Sequence, residues 1–220
     1  MTTVIPIVSE EMLQRLAERK AEGREYELAQ RAAFDKAMTP TWRAEMHEKI
    51  ARLSLEASSP RSKLPKLYAL MEEVGDLRGP YMACSAGCGS CCRTVAIEIS
   101  DLEAQHIAAA IGRPAKTFSP GMQPKVIGTT GKVDMPCPFL KNDSCSIYQH
   151  RPYNCRSVAI LGRDALLCSV ENTMLTRAND PRATPVPMTK MDALHPLYSE
   201  LTKHPRTAWA DIRQFFPESD

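Results

Sequence analysis

Cys84-Ser-Ala-Gly-Cys88-Gly-Ser-Cys91-Cys92-Arg93 places four of the chain's eight cysteines within nine residues, and Cys137, Cys145, Cys155 and Cys168 complete the set. Short-spaced knuckles backed by distant partners are how a chain wraps a tetrahedral thiolate site. Soft thiolates select zinc, copper(I) or iron–sulfur clusters over magnesium or calcium. Gly87 and Gly89 flank Cys88, as expected where the backbone turns tightly around an ion and its amide hydrogens need room to reach sulfur. If Cys91 and Cys92 are extended, their side chains leave opposite sides of the backbone and do not chelate one ion together. That leaves two readings open: two sites back to back, or one site and a free thiol.

Charge around the cysteines fits filled sites. Residues 81–170 hold nine Lys and Arg against six Asp and Glu, +3 with neutral thiols. A zinc with four thiolates, or an oxidised four-iron cluster held by four cysteines, carries a formal charge of about −2. Arg93, Arg151 and Arg156 lie beside cysteines in sequence and are expected to offset it. Arg163 is read as a surface residue or a carboxylate partner.

Outward from this segment the pattern is helical. Residues 9–38 read as one long amphipathic helix, with Ser9 as cap and Glu10 and Glu11 in its first turn. Thr39 and Pro40 open a second helix, carrying Trp42, Met46, Ile50 and Leu53 at three- and four-residue spacing, which Ser58-Ser59-Pro60 is expected to close. A third, from about Ser62 to Asp76, puts Leu64, Leu67, Tyr68, Met71 and Val74 on one face. Thr94–Ile99 alternates like a strand, Ser100 to Glu103 forms a capping box, and the helix behind it ends near Gly112. From Gly112 to Pro138 the chain is loop-rich, Asn142-Asp143 suits a hairpin turn, and Pro152 suits the start of a short helix bearing Cys155 and Arg156. Prolines 181, 185 and 187 mark a linker, and Trp209 and Phe215-Phe216 a helical end.

The expected fold is therefore α-rich α+β. It comprises a helical arm (1–80), a small loop-rich cysteine domain stabilised by metal (81–170), and a C-terminal extension (171–220) of proline-rich linker and helix. The arm's 13 basic and 13 acidic residues describe a solvated surface, and its Trp and Met stripe core or partner packing. A protein partner, or self-association through the arm, is thus an expectation. The net charge of +2 over 220 residues, with 6% aromatics, argues against nucleic acid as partner. The apolar patch at Val4–Val8 lacks a basic region before it and turns charged at Glu10, unlike a signal peptide, and no apolar run approaches a bilayer span. The expected compartment is the cytoplasm, where clustered thiols are metal ligands or redox groups more often than disulfides. Disulfide staples in an exported protein are the alternative.

Cys88-Gly-Ser-Cys91-Cys92-Arg93, Ile97-Glu-Ile-Ser-Asp101, Cys137-Pro-Phe-Leu, Cys145-Ser-Ile-Tyr148 and Arg151-Pro-x-x-Cys155-Arg156, in this order, resemble the CxxCxxCC family. These are YkgJ-like cysteine-cluster proteins, described as zinc- or iron-chelating domains and including the flagellin lysine N-methylases. The resemblance covers about residues 81–160. It departs at Cys84, three residues rather than two before Cys88, and Cys168 lies beyond it, so its place in the site rests on clustering alone. The metal ligands it implies, with Cys168 added, are Cys84, Cys88, Cys91, Cys92, Cys137, Cys145, Cys155 and Cys168. Within the motif His150 is the one histidine placed to ligate or support a ligand, and Tyr148 either donates to sulfur or packs.

Three functions follow from these readings. The first is a protein holding zinc or an iron–sulfur cluster, with a four-iron cluster slightly favoured because eight nearly histidine-free cysteines with a vicinal pair fit a cluster at least as well as zinc ribbons. The second is an enzyme using that centre, with S-adenosylmethionine-dependent protein methylation as the version the family suggests. Against it, no strand leads into a glycine-rich loop that would cradle the cofactor. Cys84-x3-Cys88-x2-Cys91 also has the spacing of radical S-adenosylmethionine enzymes, but proline-rich loops follow it here in place of βα units. The third is a zinc-stapled protein-interaction module.

Overall fold

Three side-chain-capped helices open the chain. In α1 (Glu10–Ala37) the Ser9 hydroxyl accepts the Met12 N–H at 3.2 Å. Thr39 caps α2 (Pro40–Leu55) and Ser59 caps α3 (Pro60–Arg78), each with proline at the first helical position, where its missing N–H costs nothing. The Ser58-Ser59-Pro60 run thus opens α3 and does not close α2, which already ends at its C-cap Glu56. A serine before proline serves as a helix start as readily as a stop. This computed structural model describes residues 8–85, 87–123 and 136–217. The chain is mostly helical, with short strands confined to the region after the third helix.

That region begins with α4 (Ser90–Thr94), β1 (Glu98–Ser100) and α5 (Asp101–Ile111). The strand expected over 94–99 is shorter and displaced, because residues 90–94 wind into a helical turn closed by Val95 N–H to Cys91 O at 2.9 Å. The capping box is present at Ser100 and Glu103, and Gly112 ends α5 with φ 66°. Of the expected loop from Gly112 to Pro138, residues 124–135 lie outside the described residues. Then come β2 (Leu140–Lys141) and β3 (Ser144–Cys145). They form a hairpin whose Asn142 and Asp143 have φ of 50° and 59°, the left-handed pair a two-residue turn requires.

The remaining elements are α6 (Tyr153–Ser157), β4 (Val158–Ile160), α7 (Val170–Arg177), β5 (Met188–Lys190), α8 (His195–Thr202), β6 (Trp209–Asp211) and α9 (Ile212–Phe215). β4 pairs antiparallel with β5, and β1 with β6 in the register Ile99 to Ala210. Trp209, expected in a helix, therefore lies on a strand. That strand exists through pairing with β1, a contact between distant segments to which local periodicity is blind.

Two larger cores hold these pieces. One joins Leu53, Leu64, Leu67 and Met71 of α2 and α3 to Tyr153, Leu197, Tyr198 and Leu201. The other joins Ile99 and Ile107 to Cys137, Phe139, Ile147, Phe215 and Phe216. Between them sits Glu103, fully buried, accepting from Tyr68 Oη at 2.8 Å, Tyr198 Oη at 2.6 Å and the Tyr153 N–H at 2.7 Å. A buried carboxylate is tolerated when its lone pairs are filled in this way. Glu103 thereby ties α3, α5, α6 and α8 behind the cysteine segment. Among the described residues no helix is long and apolar enough to cross a membrane.

Candidate metal centre

Backbone geometry brings the eight cysteines in from separate elements. Cys84 and Cys88 stand in the loop before α4, anchored by Ala83 N–H to Ile160 O at 2.8 Å and turned by Gly87 at φ 86°. Gly89 lies so close to the hairpin that a Cβ there would meet Asp143 O and Leu140 Cδ1 at 2.8 Å. Cys91 and Cys92 occupy α4, so their side chains diverge by about 100° around a helix axis. Cys145 comes from β3 and Cys155 from α6. Cys168 ends a 3-10 turn, Leu166–Cys168, that precedes α7. Cys137 is held to the first segment by its N–H, which donates to Cys92 O at 2.7 Å.

The thiols interact in sequence. The neighbouring Cys92 thiol pushes Cys91 well above the ordinary thiol range, Cys137 pushes Cys92 to about 11, and Cys137 is itself lowered by Cys92. Burial raises Cys84, Cys145 and Cys155, and raises Cys168 to about 12. The cysteines differ in which thiols are their electrostatic neighbours. Cys168 feels Cys84, Cys88 and Cys91, and Cys84 feels Cys88 and Cys91. Cys155 feels Cys92 and Cys145, Cys92 feels Cys145, and Cys137 feels Cys155. Cys91 also reaches Cys145 and Cys155.

Two cavities adjoin the thiols. One of about 70 Å³ is lined by Cys88, Cys91, Cys92, Cys137, Cys145 and Cys155. The other, about 340 Å³, is lined by Cys84, Cys88, Cys91 and Cys155 together with Arg78, Arg151, Arg156 and Tyr148. The donor chemistry suits a soft metal. Arg78 supports anionic sulfur beside it: 7% exposed, it donates to the carbonyls of Ser157 and Arg156 and has no carboxylate partner among the described residues. A buried guanidinium without a counter-charge is costly, and Cys84 is the group whose negative charge it feels most. As the thiols stand, no group of three or more His, Cys, Asp or Glu side chains among the described residues is spaced to hold an ion. Binding one requires the sulfurs to turn from one another towards it.

The arginines divide. Arg93 pairs with Asp143 across the hairpin turn, and Arg163 pairs with Glu22 at 3.6 Å and covers the Tyr26 ring. Arg156 is buried, pairs with Glu72 at 2.5 Å and lies over the Tyr68 ring. Arg151 stacks 3.5 Å from the centre of the Tyr148 ring, leaving Tyr148 41% exposed on the cavity wall. His150 faces His106, with ring centres 6.3 Å apart, and lines neither thiol cavity. Two charged residues were not singled out from sequence. Arg78 is the last residue of α3, six positions before the first cysteine, and Arg213 reaches the Cys92 and Val95 carbonyls from α9. Nothing local marks either, since both arrive by tertiary packing.

No curated protein and no solved structure matches the chain. A family model does match: residues 83–178 are similar to the CxxCxxCC family, described as a "putative zinc- or iron-chelating domain", and this span holds all eight cysteines.

Proposed function

We propose that the protein binds metal through its cysteine thiolates in two sets, Cys84, Cys88, Cys91 and Cys168 in one and Cys92, Cys137, Cys145 and Cys155 in the other. The observation that carries this reading is the interleaving of segments. Cys168, last in sequence, has Cys84, Cys88 and Cys91 of the first knuckle as its electrostatic neighbours, and Cys92, from that knuckle, has Cys137 and Cys145. Seven thiols from separate elements beside two adjoining cavities, with Cys168 in the wall of neither, match what a soft metal needs. An iron–sulfur centre fits the donor set at least as well as zinc, since neither cavity has a histidine in its wall among the described residues and thiolates alone ligate such clusters, as they also can zinc.

Anaerobic purification with an absorption spectrum and metal analysis on one sample tests this. A brown protein with a broad band near roughly 400 nm and about four irons or more is the expected result. A colourless protein with one or two zincs keeps the thiolate centre and discards the cluster. Unchanged metal content in both Cys88→Ser and Cys155→Ser overturns the thiolate centre itself.

A further inference from the structure

Arg78 reaches from the end of α3 to the segment that carries Cys155. It is 7% exposed and donates to the Arg156 carbonyl at 2.9 Å and the Ser157 carbonyl at 3.0 Å, on the two residues that follow Cys155 in α6. It shares the wall of the larger thiol cavity with Cys84, Cys88, Cys91 and Cys155. Carbonyl acceptors satisfy its N–H groups but bring no negative charge, and a buried cation needs one.

The nearby carboxylates do not supply it. Glu72 lines the same cavity and pairs with Arg156 at 2.5 Å. Asp76, also in that wall, is exposed and makes no ion pair among the described residues. On its other side Arg78 borders a cavity between α1, α2 and α3 whose acids are Asp35 and Asp192. Both are exposed, and Asp35 is turned to Arg43 at 3.9 Å. The remaining charged neighbour in the thiol cavity, Arg151, is itself cationic.

What is left is sulfur. Among groups able to carry negative charge, Cys84 interacts with Arg78 most strongly, ahead of Tyr148. The loop bearing Cys84 is also fastened to the chain just beyond α6, by Ala83 N–H to Ile160 O at 2.8 Å. A dipositive core on four thiolates carries a formal charge of about −2. With Arg156 committed to Glu72, Arg78 and Arg151 offset that charge from the cavity wall.

We propose that Arg78 is a positioning residue of the metal centre, whose buried charge holds the Cys84 sulfur as a ligand although Cys84 stands one residue out of the family's spacing. This rests on the thiolate centre proposed above. Arg78 touches no metal and acts through Cys84.

Anaerobic titration of the reduced, metal-free protein with cadmium, a soft probe read by its thiolate absorption in the ultraviolet, tests this. Arg78→Gln should weaken binding at the Cys84 site by about 10–100-fold, the range for residues that support a ligand from behind. Arg78→Lys keeps the charge without the fork and should restore most of the affinity. In Cys84→Ser protein the Arg78→Gln exchange should cost little more, since two residues acting as one unit are not additive. Circular dichroism of each variant reports the fold, and if Arg78→Gln does not fold, Arg78→Lys decides alone: parent-like affinity supports the role and a large loss overturns it. Parent-like binding in Arg78→Gln, equal losses with Gln and Lys, or a full loss from Arg78→Gln in Cys84→Ser protein overturns the role and leaves the thiolate centre standing. A parent that binds no cadmium overturns the centre, and the role of Arg78 with it.

Discussion

The Cys137 N–H donates to the Cys92 carbonyl at 2.7 Å, which sets the two thiols beside one another. The neighbouring Cys92 thiol holds Cys137 below the ordinary thiol range and makes it the readiest thiolate of the pair. In metal-free protein, hydrogen peroxide should therefore oxidise Cys137 first, with loss of water. The Cys92 sulfur then attacks the sulfenic acid, and a second water leaves as the disulfide forms. Peptide mapping should recover a Cys92–Cys137 crosslink as the main product, absent from Cys92→Ser. A dominant crosslink within the Cys84–Cys91 group would show that another pair reacts first.

The two sets predict unequal metal losses. Cys137→Ser should remove the metal of its own set and leave the other's, and Cys168→Ser should do the reverse. Cys91→Ser, at the junction of the two, should lower both. Metal per chain measured by mass spectrometry after desalting reads this directly. A uniform loss in all three variants would point to one undivided centre.

Two glycines give opposite predictions. At Gly89 a methyl group would meet the Asp143 carbonyl oxygen and Leu140 Cδ1 at 2.8 Å, so Gly89→Ala must push the first knuckle off the hairpin that carries Cys145. The expected cost is about 1–3 kcal/mol, with reduced metal uptake. Gly23 lies inside α1, and a methyl group added there would have nothing within 4 Å. Gly23→Ala should stabilise by about 0.5–1 kcal/mol and leave metal content alone. Thermal melts of both variants, with metal analysis, check the pair.

What sequence made legible here was local. The caps at Ser9, Thr39 and Ser100, the turn at Asn142-Asp143, and the left-handed Gly112 each act through neighbouring atoms, and each appears in the structure. The gathering of cysteines was visible as composition, but their grouping was not. Reading along the chain groups Cys92 with Cys84, whereas in the fold its carbonyl also accepts the N–H of Cys137 from the second group. Helices α7 and α8 are short and were not anticipated between prolines, and β6 forms through its pairing with β1. Arg78 and Glu103 owe their importance to burial, which no motif announces.

The raised thiols give the metal-free protein a pH signature. Cys92 is pushed up to about 11 by the Cys137 thiol beside it, and Cys168 to about 12 by burial, from an ordinary value of 9.0. Above pH 9 an unfolded chain sheds these protons while the folded chain still holds them, so rising pH favours unfolding. The stabilisation is complete below pH 9 and disappears as pH passes through about 11 for Cys92 and about 12 for Cys168. Cys137, held low, acts in the opposite sense but over a lower range, below 9.0. Melting temperatures of metal-free protein should therefore fall from pH 9 upward, and less steeply in Cys168→Ala, which has one fewer thiol to deprotonate. Metal-loaded protein should not show this fall, because bound thiolates have already given up their protons. Instead its metal should be displaced as pH drops, when protons compete for the same sulfurs. Identical alkaline profiles for the metal-free parent and Cys168→Ala would mean that the Cys168 proton is not held by the fold.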